Sequence, residues 1–325
     1  MTRTVLTFPG QGSQHPGMAR DLLRSVTAVR ESVDAASRLC DVDLAALLAG
    51  GTAEQLAACE VAQVAVFAVS VGVWQHLDDH GLVPWGVMGH SAGEFAALVA
   101  ARVLDRAAGL RLVVERSRAM ASAAAATPGC MVAVGGLPID EVRAICGEVV
   151  GSIVVANENS PIQTVISGEI DAVNRACALA RGRGALRLDR LAVGGAFHSP
   201  LMEPVRRHME PLLRQSVLHS PRCTLISSIS GEVVEDVDAY RELLCAQVVQ
   251  PVRWLHAVRT ARLHGVARFV EVGPGRVLSS LVRSCDRSVE TSTVRDVPTC
   301  LAALASLATP EAHELHVLAP AAVMA

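Results

Sequence analysis

The feature that most constrains this chain is an apolar strand that must turn at once into a helix around a serine. Val87-Met88-Gly89-His90-Ser91-Ala92-Gly93-Glu94 leads directly into the apolar run Phe95 to Val103. Gly89-His90-Ser91-Ala92-Gly93 fits G-x-S-x-G, in which a strand-to-helix turn pushes a serine oxygen out over a helix N-terminus. The turn is crowded, so glycine is needed two residues before and two residues after the serine. The backbone N–H of Ala92 can then donate to an oxyanion. Over five residues alone, an ordinary glycine-bounded turn reads the same way.

The rest of the chain supplies an α/β frame for that turn. Thr4 to Phe8 reads as a strand ended by Pro9-Gly10, followed by the loop Gly10-Gln11-Gly12-Ser13-Gln14. Helical patterns follow, including an apolar one around 61–76, and a helix from Arg106 to Ala126 is stopped by Thr127-Pro128-Gly129. From Met131 the texture changes. Met131–Val134, Ile153–Ala156, Gln163–Ser167 and Ala185–Leu191 read as strands, with helices at Asp140–Val149 and Glu169–Arg181. This β-α-β-β-α-β order is the ferredoxin-like plan. Long helices resume after Gly194-Gly195, with strands at Thr224–Ser227 and Arg268–Val272. Gly273-Pro274-Gly275 lacks the G-x-G-x-x-G spacing and reads as a tight turn into a helix. The expectation is a large α/β domain from 1–128 and 194–300, an inserted small domain at 129–193, and a frayed tail at 301–325.

Composition narrows the function classes. With 51% hydrophobic and 19% charged residues, the chain can bury a core and is not disordered. A net charge of −3 gives no global sign of a nucleic-acid partner. All 29 basic residues are arginine, which excludes a Schiff-base lysine. The nine cysteines stand singly with no C-x-x-C, which argues against a disulfide framework or a zinc site and for reduced thiols in the cytoplasm. The apolar stretch before Pro9 is too short for a signal peptide. The longest apolar run, Val61 to Trp74, contains Gln63 and Ser70 and reads as a buried helix rather than a membrane span.

A serine nucleophile needs a general base, most often histidine. His76 and His80 lie four apart beside Asp78, Asp79 and Gly81, which reads as a solvated helix end rather than a metal face. His90 adjoins Ser91, but successive side chains diverge. His198, in Gly194-Gly195-Ala196-Phe197-His198-Ser199-Pro200-Leu201-Met202, falls at the return from the small domain to the large one, where a cleft forms.

Four segments occur in order: Phe8-Pro9-Gly10-Gln11-Gly12-Ser13-Gln14, Gly89 to Glu94, Phe197 to Met202, and Glu271-Val272-Gly273-Pro274-Gly275. Together they resemble the malonyl-CoA:acyl carrier protein acyltransferase family, which includes fatty-acid malonyltransferases and discrete polyketide synthase acyltransferases. The resemblance extends over residues 3–290. It implies an α/β-hydrolase-like large domain with an inserted ferredoxin-like small domain. It also implies that Ser91 accepts the acyl group, that His198 is its base, and that the N–H groups of Gln11 and Ala92 form the oxyanion hole. Arg116 would clamp the malonyl carboxylate, a task suited to a planar guanidinium; by spacing alone it reads as a solvated helix arginine. Gln63 and Gln247 would line the pocket, with the Gln247 carbonyl orienting His198 in a dyad that has no acidic member. Asn157 and Asn159 fall in a loop whose role is structural. Phe197 is the bulky residue that accompanies malonyl rather than methylmalonyl.

The implied substrate is malonyl-CoA, the partner is an acyl carrier protein, and no metal or bound cofactor is implied. Ala92, Ser117, Ala121 and Ser228 depart from the fatty-acid pattern, and Ala92 and Ser117 lean toward the polyketide branch. Pro211 is expected to kink the helix after His198. Two alternatives stand: transfer of a larger acyl or extender unit, for which Ala92 would return some room, and a carrier-protein thioesterase on the same scaffold, against which Arg116 argues. Arg181, Arg183, Arg187 and Arg190 form the densest basic cluster. It is either a docking surface for an acidic carrier or a solvated helix end and strand edge. Arg206-Arg207 is a weaker cluster.

Overall fold

The structure, a computed structural model, describes residues 2–307. Its strands are β1 (Arg3–Phe8), β2 (Gly86–Gly89), β3 (Gly129–Gly135), β4 (Ile153–Ser160), β5 (Gln163–Glu169), β6 (Arg187–Arg190), β7 (Thr224–Ile226), β8 (Val266–Val272) and β9 (Glu290–Val294). They form two sheets. The first is parallel, in the order β7-β2-β1-β8-β9. Its inner strands bury near-continuous apolar runs, as a sheet covered on both faces requires: Val5, Leu6 and Phe8 on β1, Val87 and Met88 on β2, Phe269, Val270 and Val272 on β8. From β1 the chain builds outward to both sides, so the order reverses between β1 and β8. A crevice opens beyond the strand ends at such a reversal.

The second sheet is antiparallel, in the order β4-β5-β3-β6. Cys130, Val132, Val134 and Ile166 pack beneath its two helices, Ile139–Glu148 and Ile170–Gly182. The alternate residues Met131, Ala133 and Val165 join the core of the large unit. The period of two thus divides one small sheet between two surfaces. β4 is also tied to the large unit by hydrogen bonds from Val252 N–H to Ala156 O and from Glu158 N–H to Val252 O, both 2.8 Å.

The helix Cys59–Asp79 is apolar on every side, and it is buried from Ala62 to Trp74. The helices Thr27–Cys40 and Arg106–Ala126 pack against it. Several sequence expectations need correction. β9 is an edge strand of polar residues with no apolar alternation to announce it. The helix Val297–Leu307 crosses the expected tail boundary at 301, and residues 308–325 lie outside those described. The helix expected after His198 is present as Glu203–Gln215, with Pro211 inside it.

Gly72 sits where the Thr27–Cys40 helix crosses the central one. A Cβ there would lie 2.6 Å from Val29 Cα and 3.0 Å from Ala28 O. Gly72→Ala gains about 1 kcal/mol of helix propensity, but overpacking a rigid backbone costs about 1–3 kcal/mol. The expected outcome is a lower urea midpoint at unchanged m-value; a midpoint at or above wild type would show that the helices separate without cost.

Candidate active site

The Ser91 turn is shaped by three places where no side chain fits. A Cβ on Gly89 would lie 2.2 Å from Gly93 O, and one on Gly93 2.1 Å from Phe8 O. One on Gly10 would lie 2.5 Å from His90 O and 3.5 Å from Ala92 N, so the loop after β1 packs directly on the turn. Ser91 takes a left-handed φ of 54°, and His198 one of 56°. Each costs of order 1–3 kcal/mol for a residue with a side chain, and persists only where the surroundings impose it.

These conformations bring two side chains together across the fold. Ser91 Oγ lies 2.7 Å from His198 Nε2. His198 Nδ1 lies 3.0 Å from the carbonyls of both Gln247 and Gln250. Carbonyls only accept, so Nδ1 carries the proton and Nε2 is left bare to accept from the serine hydroxyl. Burial, then the Arg116 charge, then His90 push the imidazole down to about 3. A neutral imidazole against a serine hydroxyl can take its proton as the oxygen attacks. Gln250 is a partner the sequence does not reveal, because a backbone carbonyl leaves no side-chain signature.

Arg116, on the helix Arg106–Ala126, is 1% exposed rather than solvated. Its Nη2 donates to Ser91 Oγ at 3.1 Å, its Nε to Gln247 Oε1 at 3.2 Å, and its Nη1 to Gln63 Oε1. Burial lowers the guanidinium to about 10, which leaves it charged at neutral pH. Among the described residues it forms no salt bridge, so a buried cation faces only neutral dipoles at the serine. Gln63 Nε2 in turn donates to Gln11 Oε1 at 3.2 Å. The backbone N–H groups of Gln11 and Ala92 are engaged by no described residue.

A cavity of about 700 Å³ joins these groups. Phe197 lines it beside His198, and Met131, Ala133 and Val165 form its wall on the small sheet. His90 donates from Nε2 to Asn159 Oδ1 at 3.0 Å and packs on Trp254 at 5.5 Å, so both His90 and Asn159 brace the turn.

Elsewhere, the His76 and His80 rings lie with centroids 4.4 Å apart and planes tilted by 57°, and no His/Cys/Asp/Glu cluster suited to a metal occurs among the described residues. No helix among them is long and apolar enough to cross a membrane. The basic cluster is exposed but partly cancelled. Arg183 is paired with Glu141 and Glu148, and Arg187 with Asp189, while Arg181 and Arg190 form no salt bridge among the described residues. Arg206 and Arg207 are likewise held by Glu203, with Glu210 also on Arg206. Only the carboxylates on Arg183 come from a separate element, the helix Ile139–Glu148; Asp189 shares the strand of Arg187, and Glu203 and Glu210 share the helix of Arg206 and Arg207.

The acyl transferase domain family matches residues 5–313. The malonyl CoA-acyl carrier protein transacylase of Bacillus subtilis (strain 168) is 34% identical over 310 residues, covering 94% of this chain and 98% of the relative. That of Escherichia coli (strain K12) is 35% identical over 309 residues, covering 94% and 99%. Among solved structures, the malonyl-CoA:acyl carrier protein transacylase of Xanthomonas oryzae pv. oryzae superposes with a TM-score of 0.90 at 35% identity, covering 95% and 99%. A malonyl-transacylase in complex with a type II PKS acyl-carrier protein gives 0.89 at 33%, covering 94% and 99%. These likenesses run the length of the fold that carries Ser91, His198 and Arg116, and the chain belongs to the malonyl-CoA:acyl carrier protein acyltransferase family.

Proposed function

We propose that the protein moves a malonyl group from malonyl-CoA, through a Ser91 ester, to the phosphopantetheine thiol of an acyl carrier protein in fatty acid or polyketide synthesis. The observation that carries this reading is the placement of Ser91 Oγ, 2.7 Å from a neutral imidazole and 3.1 Å from a buried, unpaired guanidinium. His198 takes the Ser91 proton as Oγ attacks the thioester carbonyl, and returns it to the departing CoA thiolate. In the second half His198 takes the proton of the carrier thiol, whose sulfur attacks the ester and releases Ser91. The N–H groups of Gln11 and Ala92 hold the oxyanion in both halves. Arg116 receives the malonyl carboxylate, which a thioesterase acting on neutral chains would not need. Phe197 limits room for an α-branch.

The Ser91 turn supports an α/β-hydrolase-like large domain, and the β4-β5-β3-β6 order supports a ferredoxin-like insert at 129–193. Nine free cysteines support a cytoplasmic setting. CoA enters as a thioester substrate, with no resident cofactor in the scheme. On the basic edge, carrier docking would rest on Arg181 and Arg190 more than on the paired Arg183 and Arg187.

Malonyl-CoA should add one malonyl mass to the intact protein and none to Ser91→Ala; label on the variant would remove Ser91 from the mechanism. His198→Ala should slow acylation by about 10²–10⁴-fold. Because the base works as neutral imidazole, a lowered pKa extends the active range toward acid. The kcat/KM for acylation should therefore show no inflection near the ordinary value of about 6.5, and a titration there would contradict a desolvated His198. Arg116→Ala should lose on the order of 10²–10³-fold with malonyl-CoA, as for a broken buried ion pair, and little with acetyl-CoA. An equal loss with both thioesters would assign Arg116 to the scaffold.

A further inference from the structure

Glu94 follows the Ser91 turn in the first turn of the helix Gly93–Ala100 and is wholly buried. It touches neither Ser91 Oγ nor His198. Its Oε1 accepts from Ser227 Oγ at 2.9 Å, from Ser228 N–H at 3.2 Å, and from the hydroxyl of Tyr240, the chain's single tyrosine, at 2.7 Å. Its Oε2 accepts from Ser228 Oγ at 2.9 Å and from Gln247 Nε2 at 3.0 Å. Burial raises its pKa, and the hydrogen bonds from Tyr240, Gln247, Ser227 and Ser228 oppose that rise.

The network has a direction. Ser228 N–H and Gln247 Nε2–H meet different oxygens of Glu94, and neither can accept a hydrogen bond. Both oxygens must therefore be acceptors. Gln247 is bound on its other sides by groups of fixed sense: Nε2 also donates to Ser91 O at 3.1 Å, and Oε1 accepts from Arg116 Nε. A reversed amide would set oxygen against the Ser91 carbonyl and N–H against the guanidinium. The arrangement places a carboxylate and a guanidinium at the two ends of one amide instead of in contact. A direct ion pair would occupy the cation; an interposed amide leaves it free for an incoming carboxylate.

We infer that Glu94 is a positioning residue that fixes the sense of the Gln247 amide and, through it, aims Arg116 at the carboxylate of the acyl group. The inference rests on the malonyl-transfer reading and assigns it one more determinant of substrate choice.

Glu94→Gln tests it, because the two side chains have nearly the same shape. An amide at 94 must turn its NH₂ toward either Ser228 N–H or Gln247 Nε2, donor against donor in both cases. The readout is the ratio of kcat/KM for Ser91 acylation by malonyl-CoA to that by acetyl-CoA, followed by intact mass. The ratio should fall on the order of tenfold or more, since hydrogen bonds to charged groups are the costly ones to lose. Removal of a negative charge near an anion site would by itself raise the ratio. A rise, or an unchanged ratio with a lower melting temperature, overturns the inference. If Glu94→Gln does not fold, Ser228→Ala decides: it removes one donor from Oε2 and leaves the charge. A fall of a few-fold then supports the inference and an unchanged ratio overturns it. Wild-type protein that takes no malonyl from malonyl-CoA would overturn the functional reading itself, before any variant is compared.

Discussion

The contact of Gly93 with the end of β1 is the constraint on which the site depends. With the Phe8 and Pro9 carbonyls 2.1 and 2.7 Å from where its Cβ would stand, the helix that begins at Gly93 is seated directly on the sheet. Nothing between strand and helix can relax outward, so the single residue free to absorb the turn is Ser91, and it does so at positive φ. The same seating lays the Gln11 loop against Ala92, because β1 and β2 pair in parallel with Phe8 opposite Gly89. Strain at Ser91 and the close approach of the Gly10 loop to the turn thus have a common steric origin.

Around that turn the protein buries charge in an unusual balance. Arg116 and Glu94 are both inside, yet no salt bridge joins them. Amide oxygens of Gln63 and Gln247 and the Ser91 hydroxyl accept from the cation, and three hydroxyls, one backbone N–H and the Gln247 amide N–H donate to the anion. Buried charges without an ion pair are tolerated where hydrogen bonds compensate them, and here each atom of both charged groups has at least one such bond, with N–H capacity left over on Arg116. The consequence reaches His198, whose imidazole is kept neutral by burial and by the Arg116 charge. A base held neutral beside a buried cation with no ion pair fits the proposed transfer of an acyl group that carries its own carboxylate.

The cavity depends on the small sheet as much as on the large unit. Met131, Ala133 and Val165 face it while their neighbours face the helices behind. A slip of one residue in this sheet would exchange the two sets and close or expose the wall. The hydrogen bonds of Val252 with β4 hold that register against the large unit.

Much was legible in the linear order because it depends on a few neighbouring residues. The spacing of Gly89, Ser91 and Gly93 encodes a turn by local sterics, the Arg106–Ala126 helix carries its own boundaries, and the alternation from Met131 onward marks strands. The return from the small domain to the large one pointed to His198, and the resemblance to Arg116, which spacing alone read as solvated. Its burial is decided by Gln63 and Gln247, which lie on a distant helix and on a turn after another. β9 escaped because a polar edge strand has no apolar alternation, and the pairing of Arg183 was not legible because Glu141 and Glu148 come from a separate helix. Sequence by itself determined where the chain turns and which faces are apolar, since sterics and periodicity act within a few residues. Tertiary structure alone decided which polar groups meet inside, since hydrogen-bond partners more than a hundred residues apart are chosen by how the layers pack.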